Sequence, residues 1–244
     1  MQPHLRAEFR AQAPDPIETS PAMLKALLKG SLLPSGEQPM GVRAGLYRGL
    51  QLVVEPQDSA QSPFGLQEAE THPFIRKMLR QARRLIDVGA EKGEMVLLLA
   101  RNCIESLAAD MNDDGRIGRH AALNGIALGP LLDVTARYVG TAAATNVVSL
   151  DTLARRRQGA GFVKIDVDGA EVDVLESGRA LLADKRASFL VETHSAALEQ
   201  GCVALLTAAG YDVKIVDKAW WRSLLPELRP IAHNRWLTAE PPSA

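Results

Sequence analysis

The stretch that decides the fold reads LIDVGAEKG and spans Leu85–Gly93. It begins as a short apolar strand, turns at Gly89 and opens a helix at Gly93. Because glycine has no side chain, Gly89 allows a sharp turn and leaves room for a ligand against the backbone. The free N–H groups at the start of the helix suit an anionic group such as a carboxylate. The stretch therefore predicts a ligand-binding strand–turn–helix joint, with a joint that binds nothing as the alternative.

Short apolar runs alternate with helical stretches on both sides of this joint. Strands are predicted at residues 85–88, 106–109, 131–139, 162–165, 189–191, 211–216 and 234–238. Helices are predicted at residues 72–83, 93–102, 118–124, 147–153, 170–177 and 198–209. The alternation is typical of an α/β protein with a mostly parallel sheet and helices on both faces. In such a Rossmann-like fold, ligands bind at the carboxyl ends of the strands.

The length of the chain favours a single domain. Its 244 residues suffice for one α/β domain, assigned to residues 41–244 with a core at about 72–240. Residues 1–40 are Pro-rich and read as an N-terminal extension with one short helix at 22–29, and residues 41–54 predict a hairpin. The pair Trp220–Trp221 lies in a predicted insertion, where it packs in the core or forms a wall of an acceptor site.

Charge and hydropathy limit the partners. The formal net charge of -1 gives no basic field, so nucleic acid is not the expected partner. No apolar run approaches the roughly 18 residues that span a bilayer, and the N-terminus lacks the apolar core of a signal peptide. We therefore expect a cytoplasmic protein without a membrane span that acts on a small molecule or glycan. The composition is compatible with a homo-oligomer.

The acidic residues of the joint indicate a cationic nucleoside ligand. A dinucleotide fingerprint needs further glycines, whereas this chain has Ala90 and Glu91, whose charge would repel a pyrophosphate. S-adenosylmethionine (SAM) carries cationic sulfonium and ammonium groups, which Asp87 and Glu91 suit. Asp110 ends the next strand, where an acid accepts hydrogen bonds from ribose hydroxyls, and Met111 is placed to lie against adenine. Alternatively, Asp110 only caps the turn that follows it.

A second group of polar residues follows two neighbouring strands. Asp166, Asp168 and Glu171 come after the strand at 162–165, and Glu192 and His194 end the next one. The carboxyl ends of parallel strands share one edge, so these side chains should face the ligand crevice. The structural alternatives are that Asp166 caps the next helix, a role that suits Asp168 better, that Glu171 complements the helix dipole, and that His194 is a satisfied edge residue.

These positions resemble the FkbM family of SAM-dependent methyltransferases. The resemblance covers roughly residues 41–238, and the matching segments are Gly65–Glu68, Ile86–Ala90, Ser149–Leu153, Lys164–Glu171 and Val191–His194. It implies a class I methyltransferase fold, SAM as the cofactor, and O-methylation of a hydroxyl on a sugar, polyketide or related small molecule. Two positions depart from the family, which usually carries Asn in place of Glu91 and Glu-Pro in place of Asp110 and Met111.

The joint and the resemblance together define a candidate site. The expected cofactor-binding residues are Glu68, Asp87, Gly89, Ala90, Glu91, Gly93, Asp110 and Met111. The expected catalytic residues are Asp166, Glu192 and His194. Either His194 or Asp166 acts as the base for the acceptor hydroxyl, or Asp166 and Glu192 hold a Mg²⁺ ion that lowers its pKa. We favour the version without metal.

Two other classes of function are considered. Asp166 and Asp168 match the Asp-x-Asp motif with which some glycosyltransferases bind a metal ion, but such a fold would not need the arrangement of Asp87 and Asp110. A SAM-binding protein without catalysis is favoured by Glu91 and disfavoured by the intact edge of carboxylates and histidine.

Overall fold

The computed structural model describes residues 36–55, 64–156, 161–217 and 233–242. Most of the predicted N-terminal extension, including the helix at 22–29, lies outside these ranges, and so does the pair Trp220–Trp221. Within the described ranges, no helix is long and apolar enough to cross a membrane.

The described residues contain eleven strands and seven α-helices. The strands are β1 (Gln38–Gly41), β2 (Gln51–Val54), β3 (Arg84–Val88), β4 (Glu105–Ala109), β5 (Leu132–Thr135), β6 (Tyr138–Val139), β7 (Val147–Val148), β8 (Phe162–Ile165), β9 (Ser188–Thr193), β10 (Asp212–Val216) and β11 (Arg235–Glu240). The helices are α1 (His72–Gln81), α2 (Glu94–Arg101), α3 (Arg116–Leu123), α4 (Leu150–Arg156), α5 (Glu171–Glu176), α6 (Arg179–Asp184) and α7 (Ala196–Ala208). A 3-10 turn at Ala69–Thr71 precedes α1.

Seven of the described strands form one sheet in the order β10-β11-β9-β8-β3-β4-β5. The five strands from β9 to β5 run parallel, whereas β11 is antiparallel to both of its neighbours. The predicted α/β architecture with a mostly parallel sheet is therefore confirmed. The chain reverses its direction along the sheet between β3 and β8, and this is where such folds bind their ligands.

The two faces of the sheet are covered by separate apolar clusters. Leu85 and Phe162 point to the face that α1, α2 and α3 cover, and their neighbours Ile86 and Val163 point to the face of α4 to α7. All four side chains are fully buried. A strand buried on both faces reads as a short continuous apolar run, and such runs, with the turn residues that follow them, located β3 and β8.

The predicted strand at 131–139 was wrong in one respect, because the chain forms two strands there. β5 joins the main sheet, and β6 pairs with β7 in a separate two-stranded sheet. The guanidinium of Arg137 donates hydrogen bonds to the carbonyls of Thr145 and Val147 at 2.6 and 3.2 Å. These bonds draw the chain away from the main sheet after Thr135.

Helix α6 was not predicted. It follows α5 after two residues, Ser177 and Gly178, and its first N–H groups are satisfied by a residue distant in sequence. The carboxylate of Asp151 on α4 accepts from the backbone N–H groups of Ala180 and Leu181 at 3.1 and 2.8 Å. Because this cap comes from another helix, no local sequence signal marks the start of α6.

The predicted hairpin is confirmed as β1 and β2, although it begins at Gln38. It is attached to the strand–turn–helix joint at Leu85–Gly93 through His120 of α3. His120 accepts the N–H of Val53 at Nε2 (3.0 Å), and Nδ1, which then carries the proton, donates to the carbonyl of Lys92 (2.7 Å). The segment upstream of the parallel sheet is thus held against the residues that follow β3.

Candidate functional site

The carboxyl ends of β3, β8 and β9 bring the predicted polar residues to one edge. Val88 pairs with Ile165, and Ile165 pairs with Val191, so the strands are in register where they end. Asp166 and Glu192 follow directly after these positions. One crevice therefore collects residues from all three strands, as the sequence predicted.

Gly89 is required by the neighbouring strand. Its backbone has a φ of +77°, and a Cβ atom there would lie 1.8 Å from the carbonyl oxygen of Asp166. Next to this contact, the N–H of Asp166 donates to the carbonyl of Val88 at 2.9 Å. The expected role of Gly89 in giving a ligand access to the backbone is thus incomplete, since the space beside it holds the backbone of the segment after β8.

A pocket opens in front of the joint. It is lined by residues from the upstream loops, the joint, α2 and β8, which are Tyr47, Gln67, Glu68, Asp87, Ala90, Glu91, Glu94, Met95, Lys164 and Asp166. Five of these side chains are acidic and one is basic. Such a lining favours a cationic ligand and disfavours a pyrophosphate.

Asp87 is a fully buried residue of this pocket, and neither oxygen of its carboxylate has a hydrogen-bond partner among the described residues. Burial raises its pKa to about 6. A buried carboxylate without a donor costs free energy unless a cation or donor approaches it. The ammonium of Lys164 lies 3.9 Å away, which is beyond hydrogen-bond length.

Sequence reasoning missed Lys164 as a site residue. Its ammonium is buried among carboxylates, 2.9 Å from Asp166 Oδ2 and 4.0 Å from Glu68 Oε1, and it lies 5.5 Å above the Trp236 ring. Although burial alone would lower the pKa of Lys164, Asp166, Glu68 and Asp87 hold it well above its usual value. The available signal was a lysine inside the apolar run FVKI, since buried lysines are almost always paired.

Glu68 joins the pocket from the loop before α1. Its backbone adopts a left-handed conformation with a φ of +49°, and burial raises the pKa of its carboxyl to about 8. A non-glycine residue held at positive φ is often found at a binding site. The structure thus brings the predicted Glu68 together with Asp87 and Lys164.

Asp110 supports the loop from the end of β4. Its carboxylate accepts the N–H of Glu91 at 2.7 Å and the N–H of Asn112 at 2.8 Å. It therefore caps its own turn and also holds the joint, and each oxygen keeps a second lone pair for a ligand. Glu91 sits at a φ of +49° with a side chain that is 63% exposed, and Met111 is 55% exposed.

We expect Asp110→Ala to weaken SAM binding by about 1.5–3 kcal/mol, because it removes a charged acceptor from the ribose position. Calorimetric titration with S-adenosylhomocysteine measures the effect. Asp114→Ala is the matched control, because Asp114 lies in the same turn and its carboxylate instead pairs with Arg119 at 3.1 Å. If Asp110→Ala left the affinity for S-adenosylhomocysteine unchanged, the role of Asp110 would be limited to accepting the N–H groups of Glu91 and Asn112.

Asp166 and Glu192 lie next to each other at the other side of the crevice, with ligand oxygens of the two carboxyl groups within 4.8 Å. Burial and the charge of Asp166 raise the pKa of Glu192 to about 10. Burial acts to raise the pKa of Asp166 as well, but the Lys164 ammonium holds it below its usual value. At neutral pH Asp166 is therefore the ionised member of the pair and Glu192 carries the proton.

His194 is oriented by a buried carboxylate. Its Nδ1 lies 2.5 Å from Oε1 of Glu171, whose side chain is fully buried. Nε2 lies 3.4 Å from Asp168 and 3.9 Å from Asp166 on the crevice side. The hydrogen bond to Glu171 raises the pKa of His194.

The capping alternatives for the acidic residues after β8 were wrong. Helix α5 has no side-chain cap, and the N–H of Gly169 donates to the carbonyl of Val167. The side chain of Asp168 is fully exposed, so it does not cap the helix. Glu171 does more than complement the helix dipole, because its carboxylate binds His194.

A Mg²⁺ site at Asp166 and Glu192 fits these residues poorly. Ligand atoms of Asp166, Glu192 and His194 lie within 4.8 Å of one another. However, the Lys164 ammonium already binds Asp166 at 2.9 Å and places a positive charge beside the candidate ligands, whereas Mg²⁺ prefers several free anionic oxygens in an octahedral arrangement. Asp168, whose side chain is fully exposed, does not belong to this cluster, so the two acids of the Asp-x-Asp motif do not form a shared metal site among the described residues.

Comparisons with known proteins agree with the resemblance inferred from the motifs. Residues 134–229 match the methyltransferase FkbM domain, which confirms that resemblance. No curated protein sequence matches the chain significantly.

Solved structures share the fold at low sequence identity. The ribosomal protein L11 methylase of Lactobacillus delbrueckii subsp. bulgaricus is 12% identical with a TM-score of 0.51, over 73% of this chain and 80% of that one. A tRNA (uracil-54, C5)-methyltransferase of Pyrococcus abyssi, in complex with S-adenosyl-L-homocysteine, is 12% identical with a TM-score of 0.50, over 83% and 43%. The methyltransferase FkbM of Methylobacillus flagellatus KT is 13% identical with a TM-score of 0.49, over 65% and 43%. With the strand order, the likenesses to the L11 methylase and to the tRNA methyltransferase give the chain a Rossmann-like class I methyltransferase fold.

Proposed function

We propose that the chain transfers the methyl group of SAM to a hydroxyl oxygen of a small-molecule acceptor, because residues 134–229 match the methyltransferase FkbM domain. Sugars, polyketides and related compounds are the acceptor classes. A cytoplasmic location and a homo-oligomeric state remain expectations from the sequence.

The observation that carries the proposal is the buried Asp87, which has no hydrogen-bond partner among the described residues. A ligand ammonium beside it would supply the missing donors and offset the cost of burying the charge. The ionised Asp166 adds negative charge to the same pocket, whereas Glu68, whose pKa is about 8, carries its proton at neutral pH. SAM provides a cationic ammonium and a cationic sulfonium, whereas a dinucleotide would bring a pyrophosphate to the same place.

The acceptor hydroxyl is activated by His194 in this proposal. The Nδ1 atom of the imidazole is occupied by Glu171, so the crevice-facing Nε2 is the atom that accepts the hydroxyl proton. The raised pKa of His194 makes it a stronger base, and Asp166 stabilises the imidazolium that forms 3.9 Å away. SAM supplies a methyl group already activated by its sulfonium, so positioning and proton removal are the tasks left to the protein.

Asp166 and Glu192 together place an ionised carboxylate beside His194, which is the base in this proposal. Lys164 donates to Asp166 at 2.9 Å and the protonated Glu192 lies beside it, which leaves the Asp166 carboxylate ionised and fixed in position. A fixed ionised carboxylate next to an imidazole stabilises the charged state of the base. Glu192 retains its proton and is therefore not the base itself.

The alternative of a SAM-binding protein without catalysis rests on Glu91. The side chain of Glu91 lines the pocket but is 63% exposed, and it pairs with Lys92 at 3.1 Å. The left-handed backbone at this position also suits Asn, the residue usual in the resembling family. Glu91 thus gives no physical reason for a loss of activity.

Binding and transfer together test the proposed function. We expect calorimetry to detect SAM and S-adenosylhomocysteine and no comparable NAD(H) binding, because the pocket lining is acidic. Incubation with SAM and cell extract should give a product heavier by one methylene unit, found by mass spectrometry. Preferential NAD(H) binding would contradict the proposed cofactor, and methylation on carbon or nitrogen would contradict the acceptor.

A further inference from the structure

We propose that Tyr47, which lies upstream of the parallel sheet, is a cofactor-binding residue that donates a hydrogen bond to the α-carboxylate of the methionyl group of SAM. The inference rests on the proposed function and adds a binding residue to it. It assigns the segment before β3 a part in ligand binding.

The phenol of Tyr47 is buried and lacks a good acceptor. The side chain is 3% exposed and lines the same pocket as Asp87 and Lys164. Within the part of the chain that the structure describes, its hydroxyl has one partner, the Sδ atom of Met95 at 4.0 Å. A thioether is a weak acceptor, and a buried tyrosine hydroxyl usually finds a better one.

A ligand carboxylate satisfies this donor better than another cation would. Burial and the charge of Glu68 raise the pKa of Tyr47 well above its usual value, so the phenol keeps its proton. It can therefore act as a hydrogen-bond donor to a ligand acceptor. The Lys164 ammonium in the same pocket adds positive charge beside it. Asp87 offers the opposite charge, and together these three groups complement the ammonium and carboxylate of an α-amino acid.

Tyr47 is fixed in place before any ligand arrives. The loops around Gly45 and Gly65 approach so closely that a Cβ on Gly45 would lie 2.3 Å from the Gly65 carbonyl oxygen. The Tyr47 ring also packs edge-on against His72, with 5.7 Å between ring centroids. Such preorganisation lowers the entropy that binding would otherwise cost.

The test compares two ligands on one conservative variant. Tyr47→Phe keeps the ring and its packing but removes the hydroxyl, so we expect S-adenosylhomocysteine to bind about tenfold or more weakly by calorimetry. 5′-Methylthioadenosine has no amino-acid group, and the variant should bind it as the wild type does. Tyr138→Phe is the matched control, because Tyr138 is half-buried and lies outside the pocket, and it should bind both ligands normally.

The outcomes separate this inference from the proposed function. Equal affinity of Tyr47→Phe and wild type for S-adenosylhomocysteine would overturn the inference alone, and so would an equal loss for both ligands. If the wild-type protein bound neither SAM nor S-adenosylhomocysteine, the proposed function would fail and this inference with it. A melting temperature measured on each variant shows that the compared proteins are folded.

Discussion

Asp87→Asn is expected to weaken the binding of SAM and S-adenosylhomocysteine by roughly 10- to 150-fold, equivalent to about 1.5–3 kcal/mol for a charge-assisted hydrogen bond. The amide keeps the shape of the carboxylate but loses the charge that faces the ligand ammonium. Calorimetric titration at pH 8 measures the change, because Asp87, with a pKa of about 6, is ionised there.

The same variant should not destabilise the protein without ligand. The pKa of Asp87 is raised in the folded state, so its contribution to stability is present at low pH and is lost as the pH rises through about 6. At pH 8 the buried charge is a cost that asparagine removes, and the melting temperature should stay equal or rise. A lower melting temperature with unchanged affinity would show that Asp87 is structural.

Proton release gives an independent measurement on the wild-type protein. A cation that binds beside Asp87 favours the ionised carboxylate, so binding at pH 5.5 should release protons. Calorimetry in two buffers of different ionisation enthalpy detects the release, which Asp87→Asn should reduce. Asp212→Asn, on the exposed start of strand β10, is the control that should leave both affinity and proton release unchanged.

His194→Ala is expected to slow methyl transfer by about 10²–10⁴-fold while S-adenosylhomocysteine affinity stays the same, because a positioned base contributes a factor of that size. Its raised pKa places the acid limb of the wild-type rate profile above the usual value of about 6.5. Glu171→Gln removes the charge that raises the pKa, so the limb should move to lower pH. Rates measured across pH at saturating SAM decide both points.

The control for the base is His233→Ala, because His233 pairs with Glu199 outside the crevice and should leave the rate unchanged. A normal rate in His194→Ala would remove the base from the mechanism. Activity that a chelator abolishes and Mg²⁺ restores would instead favour the metal version at Asp166 and Glu192. If Glu171→Gln did not shift the acid limb of the pH–rate profile, Glu171 would not be the group that raises the pKa of His194, and its role would be packing alone.

The sheet was predictable because its central strands are buried on both faces. The run that forms β3 and the run that forms β8 are apolar, short and followed by glycine or acidic turns, so local pattern fixed their place. The strand at 131–139 was predicted as one because its apolar content continues past Thr135. Its break depends on the contacts of Arg137 with the β7 segment, and periodicity carries no information about them.

The site was predicted less completely than the sheet. Asp87, Asp166 and His194 could be found, since the carboxyl ends of parallel strands meet at one edge whatever the side chains are. Lys164 could not be assigned a role, because its partners Glu68 and Trp236 come from loops and strands far away in sequence. The bond between Glu171 and His194 likewise depends on how α5 packs beside β9. Tyr47 was missed because the pocket wall that it forms requires the contact between Gly45 and Gly65.

The collision that a side chain at position 89 would make with Asp166 affects how related sequences can be interpreted. Substitution of Gly89 by any other residue would make its Cβ collide with the backbone of Asp166, which follows β8, whether or not a ligand binds. A descendant of this chain that had lost methyl transfer would still be under selection to keep the glycine for folding. A glycine at this position in a distant homologue is therefore evidence for the fold alone, whereas an acid at the position of Asp87, which costs stability without a ligand, is the better marker of a working site.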